Sequence, residues 1–194
     1  MKIKIFIILI FVLIFNFNAQ SVNYDSYRDI IKKNDYINKS LGITFTFNDD
    51  WKIYEKYNKM PEFVKPIAQQ FKNLGTELIL FGLTHDNLAF MRASVEELSD
   101  ELNFDLKKYY DALIKVFGRS ILNYTESSKI TINDINIITW DYEVAHGTET
   151  IKFHEYIVKK DNYFIRFGFW THISIFDESV PMFDKIMNTI KFEK

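Results

Sequence analysis

Between residues 128 and 171 four β-type runs follow one another with almost nothing between them: KITI, INIITWDYEVA, TIKFHEYIV and YFIRFGFWT. Their joints are Asn133-Asp134, the neighbourhood of Gly147, and Asp161-Asn162, residue types that accept the backbone of a tight reversal. Neighbours joined so briefly must run antiparallel, because a parallel pair needs a crossover of a dozen or more residues. The short turns also set register. If Gly147 and Thr148 make the second turn, Asp141 faces His154 and Glu143 faces Lys152, both pairs on one side of the sheet.

The rest of the chain reads as one sheet-building unit with helices. Ile43, Phe45 and Phe47 fall at every second position, Asn48-Asp49-Asp50 supplies turn chemistry, and Trp51 and Ile53 resume the alternation, so an opening hairpin is expected. Pro61 and Pro66 punctuate the next stretch, and between Pro66 and Gly75 there is room for a short helix. TELILFGLT and LAFMRASVEE, separated by His85-Asp86-Asn87, predict a second hairpin. Ser99 offers an N-cap with Asp100 and Glu101 in the first turn. Leu102, Leu106, Tyr109, Leu113, Val116 and Phe117 then form an amphipathic stripe ending near Gly118. A closing helix is expected over DESVPMFDKIMNTI. Residues 20–40 are polar with scattered tyrosines and read as either a loose arm or a short leading helix. The sum is an α+β fold, an antiparallel β-sheet with helices packed on it.

The first nineteen residues pair Lys2 and Lys4 with an apolar run from Ile5 to Phe15, the pattern of a secretory signal peptide, and the run is shorter than the roughly 20 residues a membrane-spanning helix needs. The expected organisation is a signal peptide at 1–19, an N-terminal arm at 20–40 and a single domain at 41–194. Export would place the protein in the periplasm or outside the cell, with no stable membrane anchor after cleavage. With no cysteine, neither a disulfide nor a cysteine-linked lipid is available, and packing must carry stability. The leader holds two of the 24 basic residues and none of the 26 acidic ones, leaving 22 against 26. So mild an acidity argues against nucleic acid or an anionic membrane as partner.

No G-x-S-x-G elbow, H-E-x-x-H, glycine-rich phosphate loop or EF-hand spacing occurs. The candidate site residues are Asp141, Glu143, His154, Glu155 and Arg166. Asp141 can fix the tautomer of His154 for proton transfer or a divalent metal, with Glu143 assisting; the other reading is a cross-strand ladder on a wet face. His146 falls on the opposite face. Glu155 and Arg166 share a face with Ile151, Phe153 and Ile157, either as an anchor for an anionic ligand or as a satisfied pair at the sheet margin. Asn38-Lys39-Ser40 and Asn123-Tyr124-Thr125 fit the glycosylation pattern, which matters only in a eukaryotic secretory route. No cofactor is expected.

The order of elements carries one resemblance. GITFTF with Trp51, the long helix after the second hairpin, the meander with IITWDYEV and DNYFIRFGF, and the end in IMNTIKF resemble the PsbP-like family, which groups the photosystem II extrinsic protein with DcrB-like proteins. Many members carry Pro-x-x-Trp at the first turn; Phe47-Asn48-Asp49-Asp50-Trp51 has no proline. The resemblance covers about residues 40–193. It implies an α/β/α sandwich and a non-catalytic role as a binding or accessory module for a protein partner, and it carries over no site residues. The alternative expectation is a hydrolytic or metal-dependent enzyme using Asp141 and His154.

Overall fold

The computed structural model describes residues 29–32, 34–55, 57–73, 75–98, 104–118 and 120–193. The expected signal peptide and the Ser99 cap lie outside them. In chain order the strands are β1 (Asp29–Lys32), β2 (Asp35–Asn38), β3 (Ile43–Thr46), β4 (Trp51–Tyr54), β5 (Thr76–Thr84), β6 (Ala89–Glu97), β7 (Asn123–Tyr124), β8 (Ser128–Ile132), β9 (Ile135–His146), β10 (Glu149–Lys160), β11 (Tyr163–His172) and β12 (Lys191–Phe192). Helix α1 (Lys65–Asn73) precedes β5, α2 (Leu106–Phe117) follows β6, and α3 (Phe176–Met187) follows β11.

The meander is as its turns require. Strands β8, β9, β10 and β11 pair antiparallel in succession, with His146 opposite Glu149 and Lys160 opposite Tyr163. Asn133, Asp134, Gly147 and Asp161 all take positive φ, the left-handed backbone that matches a tight hairpin to the twist of its strands. The second hairpin, β5 with β6, is also present. The large sheet runs β4-β5-β6-β11-β10-β9, with β7 and β8 both on the outer edge of β9.

Two expectations change. Strands β3 and β4 do not pair with each other: β3 joins β2 and β12 in a separate four-stranded sheet, while β4 joins β5. Phe45, Phe47 and Trp51 still meet in one core, as their ring contacts show, but alternation does not choose a pairing partner. Within the expected arm Asp29–Lys32 and Asp35–Asn38 pair antiparallel as β1 and β2, and Tyr36 and Asn38 of β2 are buried. Helix α2 starts at Leu106, where the Asp105 side chain accepts from the Lys108 N–H.

Each face of the large sheet has its own cover. One face packs Ile137, Tyr156, Val158, Ile165, Phe167 and Phe169 against α3 and the small sheet, with Phe45 edge-on to Phe167 and Phe169 stacked on Phe183. The other packs Ile138, Trp140, Tyr142, Phe153, Ile157 and Phe164 under Tyr109, Leu113 and Phe117 of α2. Farther along that face, Leu78, Phe81 and Leu83 lie beneath Val64 and Ala68, at and just before the start of α1. Burial of this aromatic surface on both sides, at about 25 cal/mol per Å², is what a chain without disulfides has in place of covalent staples.

Candidate functional site

Two polar constellations stand out, one on each face. On the α3 face, Asp141 and His154 are directly opposite across β9 and β10, and His154 Nδ1 lies 2.5 Å from Asp141 Oδ1. Neither sits on an open wet face: 15% of the His154 side chain and 25% of the Asp141 side chain stay exposed. The imidazole meets the Tyr156 ring edge-on at 4.6 Å. The Tyr156 hydroxyl donates to Asp184 Oδ1 of α3 at 2.6 Å, and burial followed by that bond pushes the phenol pKa well up. The register also sets Glu143 opposite Lys152, but the Lys152 ammonium lies over the Phe176 ring and 3.9 Å from Asp177. Among the described residues no three His, Cys, Asp or Glu side chains converge to hold a metal. His146 faces away from the dyad, as its place in β9 requires.

On the α1/α2 face, Glu155 and Arg166 do meet, though in the middle of the sheet and not at its margin. One row across four strands reads Arg92 (β6), Gly168 (β11), Glu155 (β10), Trp140 (β9), each opposite the next. Arg166 Nε donates to Glu155 Oε1 at 2.6 Å, and Arg92 Nη2 donates to the same oxygen at 3.1 Å. Glu155 is completely buried, and each arginine side chain is 7% exposed. Gly168 gives the guanidinium room to cross: a Cβ there would stand 3.3 Å from Arg92 Cζ and 3.4 Å from Nε and Nη2, a tight contact.

The helices close over the cluster. Phe71 of α1 faces the Arg92 guanidinium at 5.4 Å, and Phe117 of α2 faces that of Arg166 at 5.3 Å, both in cation–π range. Arg92 Nη1 also donates to Ser94 Oγ. Burial alone would raise the Glu155 carboxyl; the charges of Arg166 and Arg92 and the hydrogen bonds from Arg166 and Tyr142 outweigh it and hold the pKa below the usual range. Nearby, Tyr109 of α2 donates to Glu96 Oε2 at 2.7 Å, and burial pushes the Glu96 carboxyl up.

Sequence reasoning found Glu155 and Arg166 and missed Arg92, Ser94, Glu96 and Gly168. Strand β6 meets β11 across a connection of more than sixty residues, so no short turn fixes their register. The available signal was parity: Phe90, Arg92, Ser94 and Glu96 alternate on one side of β6. Asn38, first residue of one glycosylation-type triplet, is fully buried, donates to the Tyr36 hydroxyl and accepts from the Leu41 N–H.

No family model and no curated protein matches the sequence. Solved structures do. CyanoP, the cyanobacterial PsbP of Synechocystis sp. PCC 6803, aligns over 82% of this chain and 91% of its own at 11% identity, with a TM-score of 0.55. The fold is PsbP-like. LpqN of Mycobacterium tuberculosis, involved in cell envelope biogenesis, aligns over 78% of this chain and 83% of its own at 8% identity, TM-score 0.50. A Bacteroides thetaiotaomicron protein aligns over 79% of this chain at 11% identity, TM-score 0.50, and this chain spans about half of it, 46%. These similarities show the fold, an α+β arrangement of antiparallel sheets with three helices packed on them, and function must be argued from the surface and the sites. Among the described residues no helix is long and apolar enough to cross a membrane.

Proposed function

We propose that this chain is an exported, non-catalytic binding or accessory module of the PsbP-like type that engages another envelope or secreted protein. The observation that carries this reading is where the charged chemistry lies. The Arg92–Glu155–Arg166 cluster is spent inside the protein, clasped between Phe71 and Phe117, and serves to tie α1 and α2 to the sheet. Two further observations support it: the leader-like residues 1–19 and the fold shared with an envelope-biogenesis protein. Mild crosslinking in the native host, followed by isolation of the chain from the envelope and secreted fractions, tests it. One protein recovered reproducibly with the chain is the expected result; a clean blank, or a chain retained in the cytoplasm, overturns it.

The 2.5 Å contact between His154 and Asp141 favours a second reading, in which a carboxylate-oriented imidazole transfers protons or binds a divalent metal. Melting with and without divalent cations decides it, because a ligand of the folded state raises the melting temperature by mass action. A rise that is lost in His154→Ala supports the second reading; no rise with any cation removes its metal-dependent form.

A further inference from the structure

We infer that the end of the large sheet around Leu88 is the docking surface, and that its occupant is an amphipathic helix of a protein partner, with leucine-type side chains flanked by lysine or arginine. The inference rests on the proposed binding role and names the surface that performs it. Among the described residues four large hydrophobic side chains are exposed: Leu88 at 53%, Leu122 at 61%, Tyr124 at 49% and Ile173 at 40%. They are far apart in sequence, yet the segments that carry them border the same end of the large sheet.

The registers show how. Thr171 pairs with Ala89, so His172 comes opposite Leu88; Ile151 pairs with His172 and Val144 with Ile151; and Leu122 donates its N–H to the Glu143 carbonyl, beside Val144. The outermost row therefore runs Leu122, Val144, Ile151, His172, Leu88, with Ile173 next in the chain. Four strand spacings of about 4.8 Å make it about 19 Å long. The row behind is Tyr124, Tyr142, Phe153, Trp170, Phe90, in which Trp170 stacks on both Phe153 at 5.5 Å and Phe90 at 5.6 Å. Trp170, Phe90, Ile151 and His172 are all half-buried. At the Leu122 end Val144 is fully buried in the α2 cluster, so the accessible apolar surface is the Ile151–Leu88 half with Trp170 and Phe90 behind it.

Charge selects the occupant. The β5–β6 turn that carries Leu88 is tied to the β3–β4 loop by His85, whose N–H donates to the Asp50 carbonyl and whose Nε2 lies 3.0 Å from the Asp49 carbonyl. Asp49 and Asp50 are thus joined through His85 to the turn that holds Asp86 and Leu88; all three aspartates are exposed, as is Lys52 on β4. Hydrogen bonds from Thr84 and the Leu88 N–H lower the Asp86 pKa and keep it ionised. An apolar patch with an acidic rim repels an anionic bilayer and complements a basic, apolar protein segment. The apolar rows run across the strands, and the same face already carries α1 and α2, so a helix continues that layer. The accessible Ile151–Leu88 half is two strand spacings long, about 10 Å, so at 1.5 Å per residue about two helical turns cover it.

The test uses the full chain and a leucine–lysine amphipathic peptide of about 14 residues, with a leucine–glutamate peptide of the same pattern as control. Labelled-peptide anisotropy reads binding. Trp170, half-buried while Trp51 and Trp140 are buried, provides a second signal. The basic peptide should bind, shift the tryptophan emission to the blue, and lose at least about tenfold in affinity on Leu88→Asp with Ile173→Asp. Those substitutions add negative charge, so plain electrostatic attraction predicts the opposite change. Asp49→Asn with Asp50→Asn should weaken binding and flatten its salt dependence while leaving the circular dichroism unchanged. Unchanged or tighter binding by the Leu88→Asp variant, equal binding of the acidic peptide, sedimentation with phosphatidylglycerol vesicles, or self-association lost on Leu88→Asp would each overturn the inference. The assay requires neither export nor the native partner. A negative here beside a positive crosslink in cells therefore removes the surface and leaves the binding role.

Discussion

Replacing Glu155 by Gln should destabilise the protein far more than a surface carboxylate change would. The side chain is completely buried and its Oε1 receives hydrogen bonds from Arg166 Nε and Arg92 Nη2. Glutamine keeps the shape and one acceptor but removes the counter-charge, leaving two guanidinium groups in the protein interior. Breaking a buried pair in this way costs about 3–5 kcal/mol. The low end applies here because the acceptor survives, so about 3 kcal/mol is expected, or about 6–12 °C in melting temperature for a chain of this size. Replacing the whole cluster, Glu155→Leu with Arg92→Met and Arg166→Met, should recover most of that loss, since no unpaired charge then remains. Urea unfolding followed by tryptophan fluorescence measures both. The pH dependence follows from sign: the folded-state pKa of Glu155 is lowered, so its stabilisation is complete above the unfolded value of about 4.3 and is lost as pH falls through the folded value. Glu155→Gln should lack that slope. A Glu155→Gln protein within about 0.5 kcal/mol of wild type would refute the clasp.

Gly168→Ala would bring a methyl group to 3.3 Å from Arg92 Cζ, so the guanidinium must shift by a few tenths of an ångström and its 3.1 Å bond to Glu155 is strained; a cost of about 1 kcal/mol is expected in the same unfolding assay. Glu96 carries the opposite sign to Glu155: its pKa is raised by burial, so its contribution is full below about 4.3 and is lost as pH rises through the folded value. Glu96→Gln, which mimics the protonated acid and still accepts from the Tyr109 hydroxyl, should therefore stabilise the protein at pH 7 relative to pH 4, as read from paired thermal melts. A double-mutant cycle on Asp141→Asn and His154→Gln should return a coupling of about 1 kcal/mol or less, since both groups keep contact with water.

What the sequence made legible follows the length of its connections. Asp141 and His154 could be placed opposite each other because a two-residue turn at Gly147-Thr148 leaves one register, and that register is present. Arg92 could not be brought to Glu155 in advance, because β6 reaches β11 only through tertiary packing. The same limit explains the opening hairpin. Alternation put Ile43, Phe45 and Phe47 on one face, yet the choice between pairing β3 with β4 and sending each to a different sheet depends on β2, β5 and β12. The helix start shows a different ambiguity: several Ser and Asp residues before the stripe are competent caps, and Asp105 holds the Lys108 N–H. The patch at Leu88 was invisible for the simplest reason: its residues come from four distant parts of the chain.

In-cell crosslinking from a photoreactive residue at Leu88, followed by fractionation and mass spectrometry, is the most direct measurement of the central claim. The predicted result is one protein joined to the chain outside the cytoplasm, through a segment that pairs apolar residues with lysine or arginine, and lost when Ile173→Asp is added. A chain that stays in the cytoplasm, or reaches the envelope and joins nothing there, would contradict it.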